Sequence, residues 1–118
     1  MDMLIIVNDN GDISFFANIK DAELYLEPDD IKQNFYEIFN RNGDLLKPII
    51  LKNSKKFLFG NFIKENIQIT PHIPNINDRE YLFKLLFNFC NNIKLEVPKE
   101  INLNDLIDKL IKEIGFTK

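Results

Sequence analysis

Two short apolar runs, residues 3–7 (MLIIV) and residues 13–16 (ISFF), are separated by Asp9-Asn10-Gly11-Asp12. A two-residue type I′ turn needs positive φ at both central positions, which Asn-Gly tolerates best, so the chain is committed from its start to a β-hairpin. The same device recurs at Asn42-Gly43, between residues 35–40 (FYEIFN) and residues 45–51. Arg41 and Asp44 flank this second turn and are expected to pair across it, which at an exposed site adds only ~0.2–1 kcal/mol. Pro48 has no N–H to give a ladder and is expected at an edge or a bulge. Residues 55–61 and 62–70 read as one or two further strands dividing around Gly60-Asn61.

The remaining periodicity is helical. Asn18 is placed to cap a short helix in which Ile19, Ala22 and Leu26 share a face and Asp21 occupies the first turn. Pro28 restricts Glu27 and is expected to end that helix. Asn77 or Asp78 caps a second helix running to about Asn92, with Leu82, Leu85, Leu86, Phe89 and Ile93 on one face. Phe83, Phe87 and Cys90 widen the stripe, which places this helix between the sheet and something else. The last helix starts near Asn102 and repeats Leu103, Leu106, Ile107, Leu110, Ile111 and Ile114, ending at Gly115. Asp105 with Lys109 and Asp108 with Lys112 are i,i+4 pairs on its wet side. Strands first and helices last give an α+β fold. It is a mainly antiparallel sheet of four to six strands, with a short early helix and two C-terminal helices packed on one face.

The 118 residues amount to one domain, with 45% apolar and 28% charged residues, an ordinary globular mix. No apolar run approaches the ~20 residues of a membrane span. The start lacks a basic region ahead of its apolar run, so no signal peptide is expected and a cytoplasmic location is the default. A single Cys and a single His exclude an intrachain disulfide, a Cys-rich zinc site and His-pair chemistry. Four scattered glycines cannot build a phosphate-binding loop. His72, bracketed by Pro71 and Pro74, reads as part of a rigid loop, and Cys90 as a core thiol. Both Asn-Gly sites fail as calcium loops, because Ile6 and Ile38 stand where the first aspartate ligand belongs. No catalytic residue, metal or cofactor is expected.

Charge is unevenly placed. Residues 1–44 hold ten acids against three bases, and residues 45–118 hold eight acids against twelve bases, for a net charge of −3. Asp21, Glu23, Glu27, Asp29 and Asp30 fall within ten residues on and after the short helix. Glu23 and Glu27 repel at i,i+4, so their retention is consistent with an offer to a cationic partner, where complementary charge speeds encounter by ~10- to 1,000-fold. A solvated acidic face has the same composition. The lysines at 47, 52, 55, 56 and 64 interleave with Phe57, Phe59 and Phe62, the pattern of a single-strand platform, although phenylalanine in a strand is more often core.

The run DAELYLEPDDIKQNFYEIFNRNGDLL from Asp21 resembles the segment DAExYLEPxDV…EYxxYDxxGRxL near the start of small bacterial immunity proteins of polymorphic-toxin and contact-dependent growth inhibition systems. The matching positions are Asp21, Ala22, Glu23, Tyr25, Leu26, Glu27, Pro28, Asp30, Tyr36, Gly43, Leu45 and Leu46. The sequence departs from the pattern at Phe39 and at Asp44, where a base usually follows the glycine, and the match stops near residue 46. The resemblance implies a cytosolic stoichiometric inhibitor without catalysis, whose partner is the cognate C-terminal toxin domain, expected to be a cationic nuclease. It implies no direct contact with nucleic acid or membrane. With the charge pattern it nominates Glu23, Tyr25, Glu27, Asp29, Asp30, Glu37 and Asp44 as partner-binding residues, Tyr36 and Tyr81 being further aromatic candidates. The alternative is a small adaptor or chaperone-like module that homodimerises through the apolar helix 78–92.

Overall fold

The computed structural model describes residues 3–33, 36–57, 60–70 and 77–117. The chain runs β1 (Ile5–Asp9), β2 (Asp12–Phe16), α1 (Ile19–Tyr25), α2 (Pro28–Lys32), β3 (Tyr36–Asn40), β4 (Leu45–Phe57), β5 (Gly60–Thr70), α3 (Arg79–Asn92) and α4 (Leu103–Ile114). The five strands form one antiparallel sheet in the order β2-β1-β3-β4-β5. The α+β layout is thus the expected one. The His72 loop lies outside the described residues.

Both Asn-Gly turns form, in different ways. Asn10 and Gly11 both have positive φ, 53° and 97°, between the paired Asp9 and Asp12, as a type I′ turn requires. At the second, only Gly43 is left-handed, with φ 86°, and the Gly43 amide closes a turn on the Asn40 carbonyl at 3.1 Å. That is a type I turn followed by a glycine bulge, a three-residue loop rather than a two-residue one.

The sheet is covered on both faces, not one. Ile5, Val7, Phe16, Ile38 and Leu46 point to one side, where they pack with Ala22 and Leu26 from the α1 segment and Ile67 and Ile69 from β5. Ile6, Ile13, Phe15 and Phe39 point to the other and pack with Leu82, Leu86, Leu103, Leu106, Ile107 and Leu110. A strand that is apolar at successive positions, as β1 is, has to be buried on both sides. On α3, Leu82, Leu86, Phe89 and Cys90 are buried against the sheet and α4, so α4 is the second surface that its wide stripe demands.

Pro28 does not simply terminate a helix. The α1 helix stops at Tyr25, and Pro28 opens α2 at its first position, where a missing N–H is an orphan anyway. Pro48 lies inside β4, which continues to Phe57 instead of ending near Leu51. The β3–β4 ladder has already ended at Ile38–Leu46, and Pro48 stands opposite Ile69, whose N–H points away from β4 toward Glu23. The lost donor is therefore not needed by either neighbour.

With the β3 ladder so short, most of β4 pairs only with β5. Thirteen residues at ~3.3 Å each make a two-stranded arm of roughly 43 Å. The arm explains a 61 Å long axis beside two of 29 Å, and a radius of gyration of 16.3 Å where a compact chain of this length has about 13.5 Å.

Candidate functional site

The seven nominated residues fall into two groups. Glu23, Tyr25, Glu27, Asp29 and Asp30 belong to the α1–α2 segment on one side of the sheet. Glu37 points to the opposite side, under α3, and Asp44 sits on the β3–β4 turn. They do not form one continuous surface.

Several are occupied inside the fold. Glu23 Oε2 accepts from the Ile69 amide at 2.7 Å, capping an outward-facing donor of the edge strand β5. Asp30 accepts from the Tyr36 hydroxyl at 2.9 Å, and burial together with that carboxylate pushes the phenol well above its ordinary range. Glu37 Oε1 accepts from Asn8 Nδ2 at 2.8 Å and from the Tyr81 hydroxyl at 2.7 Å. The bond to Glu37 raises the Tyr81 pKa from 10.0 to about 12. Tyr36 and Tyr81, read as further aromatic candidates, thus spend their hydroxyls on the protein's own carboxylates.

Asp44 does not pair with Arg41. It accepts from Asn77 Nδ2 at 2.7 Å and Asn40 Nδ2 at 2.9 Å, and these bonds hold its carboxyl below the usual range. Arg41 instead reaches α4, donating to Asn104 and bonding Asp108 at 2.7 Å. Asp108 is thereby drawn away from its expected partner Lys112, and Asp105 accepts from the Asn102 cap. The β3–β4 turn is clasped between α3 and α4. Its Gly43 carbonyl accepts from the Asp78 amide at 3.0 Å, and a Cβ on Gly43 would stand 2.8 Å from Arg79 Cα. Gly43 is fixed twice, by its φ and by this approach.

Glu27 and Asp29 remain as exposed carboxylates around the α1–α2 corner, with no side-chain cap bond from Glu27. Beside them in the chain, Leu24 is 78% exposed and Tyr25 38% exposed, its ring leaning on Phe16 at 5.1 Å. Leu24 is absent from the nominated set. It was findable: Ile19, Ala22 and Leu26 define the inward face of α1, and Leu24 lies about 200° around the helix from Ala22. An exposed leucine and tyrosine next to two carboxylates make a small apolar centre with an anionic rim, the usual anatomy of a protein interface.

Elsewhere, an open cleft of about 540 Å³ lies at the α3–α4 connection, lined by Phe87, Asn91, Lys94, Leu95, Val97 and Lys99 among others. Among the described residues no group of three or more His, Cys, Asp or Glu side chains is placed to hold a metal ion. Cys90 is buried, and burial raises its pKa, so its thiol is a core group. Among the described residues no helix is long and apolar enough to cross a membrane. Compared with known proteins, the chain matches no family model, no curated protein and no solved structure.

Proposed function

We propose that the chain is an immunity protein that binds a cognate toxin domain and neutralises it as a stoichiometric inhibitor in the cytoplasm, without turnover, cofactor or metal. The observation that carries the reading is the α1–α2 corner, where Leu24 and Tyr25 are exposed beside Glu27 and Asp29. This corner lies inside the segment that resembles immunity proteins, and its charge suits a cationic nuclease whose cleft binds phosphates. Apolar anchors supply affinity and the carboxylates supply on-rate and selectivity. Tyr36, Glu37 and Asp44 act one step removed, holding the sheet, α3 and the β3–β4 turn in place around that corner.

The alternative of a homodimer through helix 78–92 draws no support from the fold, because α3 spends Leu82, Leu86, Phe89 and Cys90 within the chain. The test is co-expression with the C-terminal domain encoded by the adjacent reading frame. Growth rescue together with a one-to-one complex, cross-linked through the α1–α2 corner, supports the proposal. Failure to form any complex, or a cross-link confined to α3 and α4, overturns it.

A further inference from the structure

The positive charge of residues 45–118 is concentrated in the β4–β5 arm. Its strands carry Lys47, Lys52, Lys55, Lys56 and Lys64 against one acid, Glu65, while residues 71–118 are neutral overall. Glu65 is moreover engaged by Lys32 of α2 at 3.0 Å. The arm also shows apolar surface: Ile49 is 37% and Leu51 43% exposed. Strand alternation puts both on the sheet face that α3 and α4 cover, but those helices stop over β1, β2 and β3. The arm is therefore a cationic ribbon with two exposed aliphatic residues near its base, the electrostatic inverse of the anionic corner that carries Leu24 and Tyr25.

We infer that the arm docks on the α1–α2 corner of a second copy of this chain, forming a two-fold dimer in which each arm covers the partner's acidic surface. The two complementary surfaces sit at opposite ends of the arm, because α1 and α2 pack at the base of β5 while Lys55, Lys56 and Lys64 belong to its distal half. Two arms laid antiparallel bring each distal half to the other's base, so one contact is made twice, as a closed two-fold interface requires. Within one molecule the same groups are held apart by several times the Debye length of ~8 Å, so they do not neutralise each other. The dimer shares the corner with the proposed toxin partner but does not depend on that reading, since it involves this chain alone.

The test is the mass of the purified chain by light scattering across a concentration series at ~0.05 M and ~0.5 M salt. The expected result is a particle of twice 13.9 kDa that dissociates at the higher salt. Lys55→Glu/Lys56→Glu/Lys64→Glu alone, and Glu27→Lys/Asp29→Lys alone, should each raise the monomer–dimer midpoint by about 100-fold or more. Mixing the two reversed variants should restore a heterodimer, because each arm then meets a corner of opposite sign; a misfolded variant cannot give this rescue. A monomer at every concentration, or a dimer indifferent to both reversals, overturns the inference, and the lysines then serve only to keep the arm's open edges from pairing.

Discussion

The Tyr81 hydroxyl donates to Glu37 Oε1 at 2.7 Å, joining the first turn of α3 to the centre of the sheet through an oxygen that also takes Asn8 Nδ2. Tyr81→Phe removes one bond to a charged acceptor, and should cost about 1–2 kcal/mol in urea unfolding. The link is also a pH switch. Because the folded-state pKa of Tyr81 is raised to about 12 from 10.0, its contribution is intact below pH 10 and is lost as pH climbs from 10 toward 12. The urea midpoint of the native chain should fall across that window, and that of Tyr81→Phe should fall less steeply, Tyr36 adding a slope of the same sign to both.

Gly43 and Gly11 offer an internal comparison. Both have positive φ, but a Cβ on Gly11 meets nothing within 4 Å, whereas on Gly43 it meets the Arg79 backbone at 2.8 Å. Gly11→Ala should cost about 1–2 kcal/mol from left-handed strain alone. Gly43→Ala should exceed it by at least about 1 kcal/mol, since α3 has to back away from the turn. Equal denaturation midpoints for the two variants would show that the clasp between turn and helix is not tight.

These positions also mark where sequence reasoning stops. Asn-Gly announces a hairpin, yet whether one or two residues take positive φ depends on what the turn meets, and Gly43 meets a helix 36 residues further along. Arg41 and Asp44 look like natural partners because they flank one turn. Tertiary contacts from Asn77 and Asp108 outbid that local pairing, and nothing in the spacing reveals them. Two-sided burial was legible, by contrast, in the uninterrupted Ile5-Ile6-Val7. Among the nominated carboxylates, spacing located the acidic segment but could not separate Glu27 and Asp29, which face water, from Glu23, Asp30, Glu37 and Asp44, which hold hydrogen bonds.

Asp44 should shape the acid limb of stability. Hydrogen bonds from Asn77 and Asn40 lower its folded-state pKa below 3.8, so its contribution is present above that value and disappears as pH falls through the lowered one. Asp44→Asn removes the titration while keeping the side chain's size. Its urea midpoint should therefore change less between pH 4 and pH 2 than that of the native chain; parallel profiles would assign the acid sensitivity to other carboxylates.

Cys90 is fully buried and its thiol is pushed up by that burial, with Lys109 opposing only partly. A thiol-specific reagent should leave the native protein unlabelled over the time in which it labels the unfolded chain completely at one site. Rapid labelling under native conditions would mean that the α3–α4 core opens far more readily than its packing implies.

The most direct measurement is the association of the purified chain with the toxin domain encoded beside it, at concentrations too low for self-association. Glu27→Lys/Asp29→Lys should slow association by about 10-fold or more at low salt and leave it nearly insensitive to added salt. Leu24→Ala should act mainly on dissociation, by about 1–2 kcal/mol or more. Native-like rates and affinity in both variants would contradict the assignment of the α1–α2 corner as the inhibitory surface.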